Sequence, residues 1–525
     1  MKREKIFLII FSVIIILPIT STFLFSITGK NIDIKLKGNF DSYEKPKLSL
    51  HDYADGKFQT DYENWINTNL IPRGRYIKLY NQIEYSCFKQ GNRIIGRNDN
   101  IFGEVYVEDV INLNDATDFT IPENANALTS YVDHLESISR KLEKLDKYLL
   151  VYVTPSKAYY DYADIPYTYR ICGPNKLRGI DLLRKLIDGK DINFLDSKTV
   201  IDEKINNLPV FYPTGIHWAR PIEQQMSFEI IEKLKEISGK NLRNIQLKDV
   251  IKNDKPYWRD SDVFDLLNLY SDANVSEYYE YKCFREYPVT YDKTRVLMQG
   301  GSFAEGWIHD YFDFYPNEEF HFSFYNQKVM STDDPVYRKI NTWEDWDLEF
   351  LDNVDFVVIE LNEAAIFQYS LGFAEYLDAY LESYQPIDHK DNILKYSEIL
   401  DSANQNALEN SRGYHEFVNE YVWSSSGSYV VLENENIREN GMTIELEIPD
   451  DLENTNLDSI HIYVNQKRID NFIESEKNGK IKIDIAPDEI NDNNYYEIEI
   501  YSDSHIMDES GKELAVKVYY IGDYR

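Results

Sequence analysis

Two short stretches of the chain carry residues that could do nucleophilic chemistry. The first is Arg295-Val-Leu-Met-Gln-Gly-Gly-Ser302-Phe303. It reads as a strand running into two glycines and then a serine. Paired glycines let the backbone turn sharply and approach a ligand closely, so the serine can be presented at a sheet edge. There it would act as a nucleophile, or serve as an ordinary helix cap or turn residue. Ala304 stands where the Gly-x-Ser-x-Gly elbow has its second glycine. The second stretch is Tyr212-Pro-Thr-Gly-Ile-His217-Trp218, just ahead of a helix signal near Pro221. A histidine in such a loop can be the general base for a serine, or a structural residue. His309, seven residues after Ser302, competes with it on spacing alone.

Open parallel sheets bind ligands beyond the carboxyl ends of their strands, so the elements that would position these residues matter. Helix-period apolar residues run over Ala127–Lys147, Leu177–Ile187 and Pro221–Ile237, the last with Pro at its start and Gly239 past its end. Tyr148–Val153 is a continuous apolar run that reads as a buried strand; Ile192–Leu195 and Phe320–Tyr325 are strand-like, and Arg295–Met298 and Phe356–Leu361 read as short buried strands. This alternation predicts a three-layer α/β/α sandwich around a largely parallel sheet, within residues 51–410. Before it, Tyr53–Tyr85 reads as helical, broken by Pro72, and Ile94–Phe102 as a short strand-like piece around a turn. From residue 411 to 525 the pattern changes to five alternating strands: Met442–Ile448, Ser459–Val464, Lys480–Ile485, Tyr495–Tyr501 and Leu514–Ile521. These predict a separate antiparallel β-sandwich. Its Trp423 and tyrosines could stack on a glycan, or the segment could be a packing module.

Residues 1–28 place Lys2, Arg3 and Lys5 ahead of an uncharged run from Ile6 to Thr28. At 1.5 Å per residue that run is long enough to cross a bilayer core. It is read as a retained signal anchor or transmembrane helix with the basic end inside, followed by a tether over 29–50. The bulk of the chain would then lie outside the cytoplasm, in the periplasm or at the cell surface. Across 525 residues there are 90 acidic and 56 basic side chains, a net charge of −34. Such acidity argues against nucleic acid as a partner, because phosphate binding requires a basic surface. Cys87, Cys172 and Cys283 have no metal or disulfide spacing. No cofactor or metal is expected.

Taken in order, these pieces resemble the SGNH-hydrolase-like family of alginate and related exopolysaccharide O-acetyltransferases (the AlgX/AlgJ type). They are the anchor, Phe58 and Trp65 in the helical stretch, Thr154-Pro-Ser-Lys157, the Thr-x-x-His-Trp element and the Gly-x-Ser-Phe element. Asn92-Arg-Ile-Ile-Gly96 with Ile101-Phe102, and Asp355-Phe-Val-Val-Ile-Glu360, add to the likeness, which runs from about Asp52 to Leu381. The resemblance implies a Ser–His–Asp triad that takes an acetyl group onto Ser302, with His217 as base, and passes it to a polysaccharide hydroxyl. It also implies a multi-span membrane-bound O-acyltransferase as acetyl donor. Two positions depart from the family's pattern: Gly215 stands where the triad aspartate belongs, and Gly301 where the family writes Asp before the serine. That carboxylate fixes the imidazole tautomer, so a substitute is required for full activity. Glu360, Glu363 and Asp196, near predicted strand ends, are candidates. Gly301, Asn362, Lys157 and Trp218 are candidates for oxyanion or substrate contact. Without the aspartate the chain could instead be a catalytically inactive polysaccharide-binding or scaffold component. With water as acceptor it would be a carbohydrate esterase. Residues 411–525 hold 25 acidic against 10 basic side chains. Like charges repel, so a neutral or weakly charged polysaccharide is the expected ligand.

Overall fold

The computed structural model describes residues 33–38, 43–69, 72–273, 275, 277–325, 327–386, 399–404, 407–408, 411–449, 451–452, 456–477, 479–490, 495–508 and 512–524, with 11–12, 16–17, 20–21, 23–24 and 27–28. The expected anchor over 1–28 therefore falls largely outside the described residues, as does part of the tether. Among the described residues no helix is long and apolar enough to cross a membrane.

Among the described residues of the first part, a short hairpin pairs Ile94–Ile95 with Ile101–Phe102, and nine further strands follow: β1 (Tyr148–Thr154), β2 (Asn193–Asp196), β3 (Ile245–Asn253), β4 (Tyr278–Arg285), β5 (Arg295–Gly300), β6 (Glu319–Phe324), β7 (Lys328–Ser331), β8 (Arg338–Lys339) and β9 (Phe356–Asn362). Seven form one sheet in the order β8-β7-β6-β5-β9-β1-β2. β6, β5, β9, β1 and β2 are mutually parallel, and β7 and β8 close one edge antiparallel. β3 and β4 pair separately as an antiparallel ribbon.

The apolar strand runs are explained by burial on both faces. Leu149, Val151, Leu297, Val357 and Ile359 face one core, under helices α1 (Pro122–Glu143), α2 (Gly179–Ile187) and α5 (Phe373–Ser383). Their neighbours Leu150, Tyr152, Val296, Met298 and Val358 face the other, under α3 (Arg220–Ser238). Period-two alternation sends successive side chains to opposite faces, so a strand covered on both sides must be apolar throughout. In α1, Leu128, Val132, Leu135, Ile138 and Leu142 make one stripe of fully buried side chains. Each contributes roughly 1.5–3 kcal/mol over leaving it exposed. Pro221 opens α3, and Gly239 at φ +70° closes it in the left-handed conformation that favours glycine.

The C-terminal strands differ from the expected pair of sheets. They form one continuous antiparallel sheet that curls around a single core. Tyr421–Leu432 makes the bend. Its first residues pair with Lys517 and Val518, and its last six pair with Tyr496–Tyr501. This portion is also not a detached module. Arg243, fully buried, donates to Glu318 of the first part and to Glu499 of the curled sheet, both at 2.9 Å. Tyr291 and Tyr315 cover its guanidinium at 3.7 and 4.3 Å. A buried charge needs its partners present and well aligned, so Arg243 holds the two parts in one arrangement. The three cysteines are free.

Candidate active site

Strand β5 delivers its chain directly to Ser302, the first residue of a short helix, α4 (Ser302–Trp307). The glycine at 300 answers to close packing. A Cβ there would lie 2.8 Å from Glu360 Cβ and 2.7 Å from Ala304 Cβ. Glu360 sits beneath the turn and accepts the Gly301 N–H at 2.7 Å and the Thr154 hydroxyl at 2.5 Å. Burial pushes its carboxyl above the usual range against these two bonds.

The Ser302 Oγ lies 2.5 Å from His217 Nε2, and His217 Nδ1 lies 2.6 Å from Asp262 Oδ2. Serine and histidine come from different elements, 85 residues apart, so their meeting is a property of the fold. The imidazole is 9% exposed and packs against Phe303 with ring centroids 4.8 Å apart, while Ser302 keeps partial solvent access.

The histidine loop is pegged from below. Lys157, fully buried, donates from Nζ to the carbonyls of Tyr212 (2.8 Å), Pro213 (3.1 Å) and Gly215 (2.5 Å). Desolvation pulls its pKa down to about 7. The three carbonyls match the three donors of the charged ammonium.

Asp262 arrives on the segment Trp258–Leu266, a 3₁₀ turn running into a one-turn helix. Its Oδ1 accepts the N–H of Ile216 at 3.1 Å and of Val263 at 2.8 Å, leaving Oδ2 aimed at the imidazole. The same segment is stitched to the histidine loop by Thr214 Oγ1 to the Asp260 carbonyl (2.6 Å) and Phe264 N–H to the Thr214 carbonyl (3.0 Å). Arg259, fully buried, donates to the Ser302 carbonyl and to Glu305 (3.1 Å). One stretch of nine residues thus touches serine, histidine and their supports. It also explains Gly215. A Cβ at that position would sit 2.6 Å from the Arg259 carbonyl oxygen and 3.0 Å from that of Asp260. A carboxylate there and this path for the segment exclude each other.

The remaining sequence candidates are placed elsewhere. Glu360 serves the Gly300–Gly301 turn rather than the imidazole. Glu363 is held by Arg178 (3.0 Å), Arg184 (3.2 Å) and the Ser156 N–H (3.3 Å). Asp196 pairs with Arg184 at 2.7 Å and caps the helix beginning at Ser197. None of the three orients His217, whose Nδ1 is taken by Asp262. Gly301 spends its N–H on Glu360, and Asn362 spends its amide on Thr154 and its oxygen on the Ala364 N–H. Neither is a free oxyanion donor. Lys157 faces three carbonyls, not substrate. Trp218 is 2% exposed and packs edge-on against Phe303 at 5.2 Å, so it is core. His309 bonds Asp313 on its own helical turn at 3.1 Å. Asp262 was the residue missed. In a chain with 90 acidic side chains, a single aspartate in a short turn bears no periodic mark. Among the described residues no cluster of His, Cys, Asp and Glu is arranged to hold a metal ion.

A hydroxyl, an imidazole and a carboxylate in this sequence of contacts can carry out acyl transfer through a covalent serine ester. No family model and no curated protein matches the chain. Among solved structures it is similar to the O-acetyltransferase domain of Pseudomonas putida AlgJ, at 11% identity over 55% of this chain and 100% of that one, TM-score 0.36. Pseudomonas aeruginosa AlgX shares 11% identity over 82% and 95%, TM-score 0.34. Bacillus cereus PatB1 shares 11% over 46% and 93%, TM-score 0.29. Likeness at this level carries no functional conclusion for this chain.

Proposed function

We propose that the chain is an O-acetyltransferase that takes an acetyl group onto Ser302 and passes it to a polysaccharide hydroxyl. The observation that carries the reading is the continuous relay Ser302 Oγ–His217 Nε2, His217 Nδ1–Asp262 Oδ2, with both contacts at 2.6 Å or less. In the first half-reaction His217 Nε2 takes the Ser302 proton as Oγ attacks the acetyl carbonyl. The leaving oxygen departs with that proton, and an acetyl–serine ester remains. In the second, His217 takes the proton of the acceptor hydroxyl, whose oxygen attacks the ester. Ser302 Oγ then regains its proton as the acetyl group leaves. Asp262 holds Nδ1–H toward itself and stabilises the imidazolium in both halves. The N–H groups of Ser302 and Phe303, which open α4 and have no intrahelical acceptor, are the nearest donors for the tetrahedral oxyanion.

The uncharged run from Ile6 to Thr28 supports a membrane anchor that holds this site outside the cytoplasm, beside a membrane-bound O-acyltransferase as acetyl donor. The acidity of residues 411–525 supports a neutral or weakly charged acceptor.

The test is to offer the detergent-solubilised full chain an activated acetyl ester, with and without neutral oligosaccharide, for wild type and Ser302→Ala. Acetylated oligosaccharide that disappears in the variant is the expected result. Free acetate alone, with no transfer to any saccharide, would make the chain an esterase. Saccharide binding without Ser302-dependent turnover would leave only a scaffold.

A further inference from the structure

A cleft of about 930 Å³ opens beside Leu267 and Leu269, just past the short helix that begins at Asp262, within the size range of small-molecule sites. The helix Arg73–Ile83 and its continuation Glu84–Phe88 form one wall, and Pro166–Tyr169 forms the other. Its floor is the hairpin in which Ile94–Ile95 pairs with Ile101–Phe102. We infer that this cleft binds a stretch of the neutral glycan chain that presents the acceptor hydroxyl. The inference rests on the polysaccharide reading above and adds a location to it.

The lining has the chemistry of saccharide recognition. Tyr80 and Phe88 are 64% and 62% exposed on its rim, unusual for large aromatic side chains, and Tyr169 faces them from the other wall. Aromatic faces pack against the C–H-rich faces of pyranose rings. Glu84, Gln90, Asn92 and Thr168 supply side-chain donors and acceptors for hydroxyls. The charges at the cleft balance: Lys89 pairs with Asp99 at 2.5 Å, and Arg93 shares the lining with Glu84. Two cations against two carboxylates leave no net positive charge for a polyanion, whereas aromatic rings and neutral polar groups suit a neutral chain.

The cleft is also wired to the reacting groups. Ile95 of its floor shares a small core with Phe264 and Leu267, against which Ile216 packs, one residue from His217. Ile101 N–H donates to the Pro213 carbonyl of the histidine loop at 2.9 Å. A glycan seated here touches Leu267 and Leu269, which follow the helix of Asp262, and is joined to the histidine loop through the hairpin.

Binding is tested on the full-length Ser302→Ala chain in detergent by calorimetric titration with cellohexaose, maltohexaose and a hexameric polyuronate. Tyr80→Ala, Phe88→Ala and Asn92→Ala change exposed positions, so folding, checked by thermal melting, should be kept. The expected result is binding of at least one neutral hexamer, weakened at least about tenfold by Phe88→Ala or Tyr80→Ala. No binding of any hexamer overturns the inference. So does binding that survives all three substitutions and is lost in Trp423→Ala, which would move the glycan to the curled sheet. Cleft-dependent binding without any acetyl–Ser302 would refute the transferase reading and leave the cleft standing. Normal transfer with an unchanged acceptor KM in the cleft variants would refute the cleft alone.

Discussion

Replacing Asp262 by Asn isolates what the carboxylate does for the imidazole. The substitution changes no volume. The amide oxygen can stay with the N–H groups of Ile216 and Val263, where Oδ1 now lies at 3.1 and 2.8 Å. That leaves the NH₂ in the place of Oδ2, 2.6 Å from His217 Nδ1. Nδ1 must then accept, the ring proton moves to Nε2, and Nε2–H points at Ser302 Oγ instead of drawing its proton. The base is present but in the wrong tautomer. With the imidazole 9% and the carboxylate 15% exposed, water does little to compensate. In a Ser–His–Asp site this change costs about 10⁴-fold in turnover, or roughly 5 kcal/mol of transition-state stabilisation at about 1.36 kcal/mol per decade. The assay is the rate of Ser302 acetylation by a chromogenic acetyl ester, with Glu360→Gln measured in parallel. Glu360 supports the turn and keeps an acceptor as Gln, so its variant should stay within about tenfold. An Asp262→Asn rate within tenfold of wild type, or a larger loss at Glu360→Gln, would refute the assignment of Asp262 as the orienting group.

Three further outcomes follow from the same contacts. Lys157→Met leaves the Gly215 carbonyl without a donor, at about 1–3 kcal/mol, while the carbonyls of Tyr212 and Pro213 keep the N–H groups of Gly215 and Ile101. Denaturant unfolding should show a loss of about that size and acetylation of Ser302 should fall, whereas wild-type stability with a wild-type rate would remove the peg from the account. Gly215→Asp should destabilise the chain and lower activity, because its Cβ would press on the Arg259 carbonyl at 2.6 Å; a more active variant would contradict this. Burial raises the Asp260 carboxyl to about 7 from 3.8. The folded state therefore holds this proton where the unfolded chain has lost it, and the contribution present below about pH 4 is lost as pH rises to about 7. Melting temperatures taken across that window should decline less steeply for Asp260→Asn than for wild type, and equal slopes would refute the shift.

What could be read from the sequence was whatever leaves a periodic or positional mark. Tyr148–Val153 and Phe356–Ile359 are apolar throughout because helices cover both faces, and α1 shows its stripe because only one face is buried. Ser302 and His217 could be picked out because each stands at an element boundary in a stretch of unusual chemistry. Asp262 could not, since its partner is 45 residues away and its own turn has no period. Glu360 was misleading for a physical reason. Lying at a strand end places it near the site without fixing its partner, and the nearest unpaired donor was the Gly301 N–H. The strand Tyr421–Leu432 was not among the expected strands; its Ser424, Ser426 and Ser428 break the apolar pattern but are buried. Their hydroxyls bond the Val516 N–H, Glu513 and the Ile500 carbonyl.

The central claim is that Ser302 itself carries the acetyl group. It is tested most directly by mass spectrometry of the full chain after a brief exposure to acetyl ester, followed by addition of oligosaccharide. One acetyl group on the peptide containing Ser302, discharged as acetylated oligosaccharide appears, is the predicted result. Acetylated oligosaccharide formed with no acetyl on that peptide at any time, or formed equally by Ser302→Ala, would contradict it.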